Sequence, residues 1–390
     1  MIKYPYSKPE IIKSDISEVV KTLKTGYLTQ GDKLNLFENE LSNYFGSKYT
    51  RVCNSGTAAL HLLYHALGLG PDQGLLTTPI TFLATANAAR MCNAPVIFAD
   101  VDPDTGLITA ETIESAIIKS TIKIKVITVV HLGGRVCDLK EIFKVAKKYD
   151  CHLVEDACHA PGAEIRTDKD SYKVGDCKYS IACTFSFHAI KHMTMGEGGC
   201  ITSNNKKIIN NIELYRNHGM QKEKHKLSNI PEKNALWYYE MHNLGWNYRA
   251  DELSCALGLN QLRRLDKNIE KRIKIAKLYY NKLSEIKYIK LPKVEQFDKS
   301  NVWHLFSLNI DFVNLEKKRG DIMHSLKSYG IGTQVHYIPL FLQPYYKVNK
   351  NYFPNAMKYY LSTLSIPLYP NLKNTDTSYI ISKIKKIINN

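Results

Sequence analysis

From about residue 56 to residue 204 the apolar positions switch repeatedly between two spacings. Thr57 to Leu69 carries Ala58, Leu62, Ala66 and Leu69 at helical intervals. Pro95–Val101, Ile124–Val130 and His152–Val154 are short apolar runs that predict buried strands, and Leu139–Tyr149 returns to helical spacing between the last two. Such alternation predicts βαβ units, hence a mostly parallel sheet with helices on both faces. Tyr179–Phe187 and Gly199–Ser203 predict two further strands, and the segment between them is too short for a crossover helix, so they can pair closely. Ala250–Leu283 reads as one long helix through Leu253, Leu257, Leu262, Leu265 and Ile269. Beyond Pro292 the texture changes to strands (Trp303–Ile310, Thr333–Tyr337) mixed with short helices. The change predicts two domains, residues 1–250 and 251–390, with the arm Tyr4–Lys24 packed on the second domain or on a neighbouring chain.

Composition narrows the class. The chain has 390 residues, with 53 Lys and Arg against 37 Asp and Glu, a net charge of +16. The basic residues are spread out, without the blocks that mark a nucleic-acid surface, so acidic small molecules are the expected partners and nucleic acid is not. No apolar run reaches membrane-spanning length, and the first residues lack the apolar core of a signal peptide. The nine cysteines show neither CxxC pairs nor Cys/His ligand spacing. Reduced thiols, no metal site and a cytoplasmic location are the expectation.

Three motifs carry candidate chemistry. Lys191 lies in a short loop closed by Gly196-Glu197-Gly198-Gly199, between two predicted buried strands. Desolvation there would favour a neutral amine able to attack a carbonyl, although a lysine reaching from a loop end to solvent is an equally simple account. Asp156, at the end of the His152–Val154 strand, falls where α/β sheets bind ligands and can face the same crevice. An ionised Asp keeps a pyridine nitrogen protonated, and a lysine nearby can hold the ring's aldehyde, which together is the machinery of pyridoxal 5′-phosphate (PLP). Ser55-Gly56-Thr57 opens the first strong helix, where free amides suit a phosphate, or where Ser55 or Thr57 simply caps the helix. Ser186 can add a hydroxyl to the same phosphate.

The runs NSGTAAL (54–60), EDACHAPGA (155–163) and SFHAIKHMTMGEGG (186–199), in this order, resemble the DegT/StrS-type PLP-dependent nucleotide-sugar aminotransferases. Gly26–Gly31, Thr78–Phe82 and Asn247-Tyr248-Arg249 extend the resemblance from about Tyr6 to the C-terminus. It implies PLP-dependent fold type I, the aspartate-aminotransferase-like α/β architecture: a large α/β/α domain with a mainly parallel sheet and a smaller C-terminal α/β domain. It further implies that Lys191 holds the cofactor and Asp156 partners its ring nitrogen. Phe82 would stack on the ring, His159 approach the phenolic oxygen, and Ser55, Gly56, Thr57 and Ser186 cradle the phosphate. Asn247 would reach the phosphate of the neighbouring subunit, making the active unit a homodimer with shared sites.

Glutamate is the amine donor that the resemblance implies, and a nucleotide-linked 4-keto-6-deoxy sugar the acceptor. Tyr6-Ser7-Lys8-Pro9 and Gln334–Pro339 look most like the family branch of the pseudaminic acid pathway, which implies a UDP-linked 2-acetamido-2,6-dideoxy-hexos-4-ulose and sugar-binding roles for Tyr6, Thr29, Gly31, His336 and Tyr337. Arg135 and Arg249 are candidates for the donor carboxylate, and basic residues are expected around the diphosphate. Dehydrating relatives carry His where this chain has Lys191, which favours amine transfer. A PLP-binding regulator, the reading from another class, would need a DNA-binding segment, and none precedes residue 25.

Overall fold

The structure, a computed structural model, describes residues 2–166, 170–229, 232, 235–292 and 294–389. Helices α1 (Lys13–Thr25) and α2 (Asp32–Phe45) precede strand β1 (Tyr49–Cys53), which runs into α3 (Gly56–Ala66). There follow β2 (Gly74–Thr77), α4 (Leu83–Met91), β3 (Val96–Phe98), α5 (Ala110–Lys119), β4 (Ile124–Val130), α6 (Leu139–Lys148) and β5 (His152–Asp156). After a small hairpin of β6 (Glu164–Arg166) and β7 (Ser171–Lys173) come β8 (Ala182–Ser186), β9 (Gly199–Ser203) and α7 (Lys206–Tyr215). The main sheet has the order β1-β9-β8-β5-β4-β2-β3. Its β3–β2–β4–β5–β8 part is parallel, while β8–β9 and β9–β1 are antiparallel. The short β8–β9 connection pairs the two strands as the sequence predicts.

Strand alternation distributes the sheet's side chains between two apolar layers. Leu75, Val126, Val154 and Ala182 pack with α3, α4 and α7, whereas Leu76, Ile127, Val129 and Leu153 pack with α5 and α6. The same alternation decides where the polar strand ends point. Asp156 and Ser186 fall on the α3 side, and Glu155 falls on the other, where it accepts from His131 (2.9 Å) and Ser180 (2.5 Å).

The rest of the chain contains a two-residue pair, β10 (Met220–Gln221) with β11 (Glu240–Met241), then α8 (Glu252–Leu262) and α9 (Leu265–Leu283). A second, antiparallel sheet is formed by β12 (Ile289–Lys290), β13 (Phe306–Ile310) and β14 (Thr363–Ile366). Helices α9, α10 (Arg319–Ser328) and α12 (Asn374–Asn389) cover it, with α11 (Pro354–Ser362) leading into β14.

Three expected elements differ. The single helix over Ala250–Leu283 is two, because Arg264 leaves helical geometry (φ −119°, ψ 10°) and its guanidinium reaches Asp15 and the carbonyl of Glu10. The strand expected from Trp303 starts only at Phe306, since Trp303 has φ +51° and stacks on Phe297 and Phe306. Thr333–Tyr337 is not a strand: Gln334 alone pairs with Ser365, and the following residues turn toward the cleft described below.

The N-terminal arm is fastened to distant sequence. Tyr4 bridges Ile331, and α1 packs on α8. Asp15, fully buried, accepts from Ile12 N–H (2.9 Å), Asn260 (2.7 Å), Gln261 (3.0 Å) and Arg264. Removing one member of a buried charged network leaves the others without partners. Asp15→Ala should therefore lower the unfolding free energy by about 3 kcal/mol, read as a drop in the urea midpoint; an unchanged midpoint would show that the network does not hold the arm.

Candidate active site

A cavity of about 600 Å³ opens at the carboxyl ends of β4, β5 and β8. Lys191, Asp156, His159, Ser55, Gly56, Thr57, Phe82, Ser186, Tyr6, His336 and Tyr337 all line it. Residues from six separate stretches of sequence thus meet at one place.

The loop after β8 is tightly tied. Phe187 N–H donates to the Gly198 carbonyl (2.8 Å), Met195 N–H to Phe187 (2.9 Å) and Lys191 N–H to His188 (2.9 Å). His192, next to the lysine, is anchored by its Nε2 on the Val302 carbonyl at 2.9 Å. Ser7 of the arm donates to the carbonyl of Ile190 (3.0 Å). Lys191 is therefore presented at the cleft floor by a loop with little freedom. Desolvation holds its ammonium below the usual range, with nearby Asp156 opposing that shift.

Ser55 has extended backbone and caps α3 by accepting from Ala58 N–H at 3.0 Å. As the first amides of a helix, those of Gly56 and Thr57 have no carbonyl partner within it. A Cβ on Gly56 would stand 2.8 Å from the Ser186 Cβ, so only glycine lets the helix terminus come against that hydroxyl. Free amides, the helix dipole and a serine hydroxyl thus converge as an anion cradle. Phe82, the N-cap of α4, leaves its ring 56% exposed at the cleft, an orientation suited to covering a planar ligand and contrary to a core position. A phosphorylated pyridine aldehyde fits this set: a cradle at one end, a carboxylate and an amine at the floor, a ring on one face.

His159 is enclosed. Its ring stacks on His304 (centroids 4.2 Å apart), its Nδ1 accepts from Gly133 N–H (3.3 Å), and its Nε2 lies 3.3 Å from the Tyr337 hydroxyl. With Nδ1 accepting, the neutral ring carries its proton on Nε2 and donates to Tyr337. Burial and the neighbouring Lys191 keep it neutral. His336 is bonded through Nδ1 to Ser365 Oγ (2.8 Å) and packs beside Tyr6, with ring centroids 5.4 Å apart.

Other expected residues lie elsewhere. Thr29 and Gly31 do not line the cleft of this chain. At Gly31 the structure supplies another account: the Glu252 carboxylate caps α2 by accepting from Lys33 N–H (2.7 Å) and Leu34 N–H (3.3 Å), and a Cβ on Gly31 would fall 2.8 Å from its Oε2. Asn247 is exposed, in an extended segment whose Trp246 and Tyr248 turn inward onto His61 of α3. The candidate arginines are also outside the cleft: Arg135 lines a separate small pocket with Tyr280 and Tyr359, and Arg249 donates to Asn217. Among the described residues, the expected basic lining amounts to Lys191 and histidines, with no arginine. Thr85 and His304, which hold Asp156 and His159, carry no motif signal, because their roles arise only from packing between remote segments.

Known proteins share this architecture over its full length. The chain superposes on Helicobacter pylori PseC, an aminotransferase of pseudoaminic acid biosynthesis, with a TM-score of 0.88 at 29% identity, covering 99% of each chain. Streptococcus pneumoniae Spr1654, described as a sugar aminotransferase and solved in a PLP form, superposes with a TM-score of 0.87 at 27% identity, covering 99% of this chain and 98% of that one. In sequence the chain is 38% identical over 390 residues to the UDP-4-amino-4,6-dideoxy-N-acetyl-beta-L-altrosamine transaminase of Campylobacter jejuni, covering 98% of each. It is 37% identical over 389 residues to the spore coat polysaccharide biosynthesis protein SpsC of Bacillus subtilis, covering 98% of this chain and 97% of that one. Fold and cleft are those of a PLP-dependent aminotransferase of fold type I. The sequence model of the DegT/DnrJ/EryC1/StrS aminotransferase family matches residues 9–385, and the chain belongs to that family.

The cleft's histidines set a pH dependence. Burial lowers His336 to about 3 and His61, behind the cradle, to about 4, and it holds His159, His192 and His304 well below the normal range. Unfolded, these groups titrate at about 6.5. Below that pH the unfolded chain binds protons that the folded one refuses, so stability is full above 6.5 and falls as acid is added toward pH 3. The urea midpoint should drop between pH 7 and pH 4.5, and less steeply in His61→Gln. Equal slopes for the two proteins would show that His61 does not contribute.

Proposed function

We propose that this aminotransferase moves an amine from glutamate to the C4 ketone of a UDP-linked 2-acetamido-2,6-dideoxy-hexos-4-ulose, for a surface glycan or a pseudaminic-type acid. The observation that carries amine transfer is Lys191, a depressed-pKa amine at the cleft floor on the same side of the sheet as Asp156 and the α3 cradle. The identity with the Campylobacter transaminase supports the choice of sugar. The bound cofactor supplies an aldehyde and an electron-withdrawing ring.

Lys191 first holds the cofactor. Freed by a donor amine, its own amine would take the proton from the donor's α-carbon and deliver it to the carbon on the far side of the nitrogen, two atoms away, the work of a general base and acid. Asp156 would face the ring nitrogen, Phe82 would cover the ring, and Ser186 with the Gly56 and Thr57 amides would bind the phosphate. Tyr6, His336 and Tyr337, at the opposite wall, take the sugar. We place the enzyme in the cytoplasm, a reading that its nine free cysteines support.

The unit we infer is a homodimer. Asn247 is exposed while its neighbours Trp246 and Tyr248 anchor it, and Trp237, Tyr239, Met241 and Leu244 nearby in sequence leave large apolar surface uncovered. A second copy would cover this surface.

Two measurements test the reading. Lys191→Ala and Asn247→Ala chains, each inactive alone, should regain roughly a quarter of wild-type activity after mixing and refolding, because half the dimers then hold one intact site. No recovery would sink the shared site. Given a panel of nucleotide 4-keto sugars, the amine-loaded enzyme should prefer the UDP-linked 2-acetamido sugar, and His336→Ala should weaken acceptor turnover by roughly tenfold or more while sparing the half-reaction with glutamate. Equal use of GDP- or dTDP-linked ketones would reassign the acceptor and leave the aminotransferase in place.

A further inference from the structure

The carboxylate of Asp156 is held by a chain of hydroxyls. Thr85 Oγ1 donates to Oδ2 at 2.7 Å, and Cys158 N–H donates to Oδ1 at 3.2 Å. Thr85 Oγ1 also lies 2.8 Å from Thr81 Oγ1. A threonine has one hydroxyl proton; that of Thr85 goes to the carboxylate, so the proton between the two threonines belongs to Thr81. Both threonines are buried, and the Tyr64 hydroxyl of α3, which donates to Thr128 Oγ1 at 2.9 Å, lies 3.3 Å from the Thr85 carbonyl. Thr85 thus sits in the first turn of α4, one turn from Phe82, and is braced by the helix that carries the anion cradle. A hydroxyl directed at a carboxylate in a dry site forms its strongest bond while that carboxylate is ionised, and each donor feeding it strengthens the next.

We propose that Thr85, backed by Thr81, is a positioning residue for amine transfer: it fixes the direction and the negative charge of Asp156, and through Asp156 the proton on the cofactor's ring nitrogen. The proposal rests on the reading of Asp156 as the partner of that nitrogen.

The test compares PLP-loaded wild type, Thr85→Val, Thr85→Ser, Asp156→Asn and the Thr85→Val/Asp156→Asn double variant. The readouts are the midpoint of the visible absorbance band against pH, PLP affinity by tryptophan fluorescence, and kcat and KM for glutamate. Thr85→Val keeps the shape and removes the donor. Its band midpoint should move up by roughly one pH unit, and kcat should fall roughly 10- to 100-fold while KM stays within about threefold. Thr85→Ser should behave as wild type, and Thr81→Val should shift the midpoint in the same direction by less. In the Asp156→Asn background Thr85→Val should add nothing, since residues acting through one group are not additive. A Thr85→Val enzyme that titrates like wild type while Asp156→Asn shifts, or an additive loss in the double variant, would overturn the proposal. An Asp156→Asn enzyme that titrates like wild type would instead remove the reading of Asp156, and the proposal with it. If Thr85→Val does not fold, a Thr85→Ser enzyme with normal stability and a displaced midpoint counts against the relay.

Discussion

A carboxyl group at the end of a buried strand, that of Asp156, is the constraint on which the rest of this structure depends. Asp156 stands 5% exposed beside apolar walls, where an unpaired charge is expensive. The fold meets that demand from several directions: a strand register that turns the side chain toward α3, a hydroxyl from α4 and an amide from its own turn, with the Lys191 side chain near it on the loop after β8. Each of these fixes an element. Once they are in place, the chemistry follows from the set of side chains that meet at the cleft rather than from any one residue.

Glu155, one position earlier, shows how little separates structural from chemical use of the same residue type. Strand alternation alone sends it to the opposite face, where His131 and Ser180 satisfy it. The two adjacent acids share burial and sequence context, and they differ in the layer they meet.

Much of the sheet and the floor of the cleft were legible in the sequence because their signals are local. Ile124–Val130 and Gly199–Ser203 are apolar runs bounded by polar or turn residues, and both form strands with those bounds. Ser55-Gly56-Thr57 announces a helix start by residue type, and the helix begins there. The failures have a common cause in long-range contacts. Periodicity carries straight through Arg263-Arg264, yet Asp15, some 250 positions away, draws Arg264 out of the helix. Trp303 is a good strand former that takes a left-handed backbone to stack on two aromatic rings. Gly31 lies in a motif that reads as functional, and the structure shows a glycine making room for the carboxylate of Glu252. Arg135 and Arg249 lie outside the cleft of this chain, and nothing near them in sequence says which wall they face.

The capping of α2 by Glu252 has a consequence for the order in which the chain acquires structure. The acceptor of its first amides is 219 positions downstream, and Asp15 in α1 waits for partners 245 to 249 positions away. During synthesis the arm therefore leaves the ribosome long before the residues that complete it. Contacts of such separation form late, after the loop they close has been organised by the sheet. The first helices made are thus among the last to settle, and until α8 arrives the face of α1 that carries Asp15 and Thr22 has nothing to pack on.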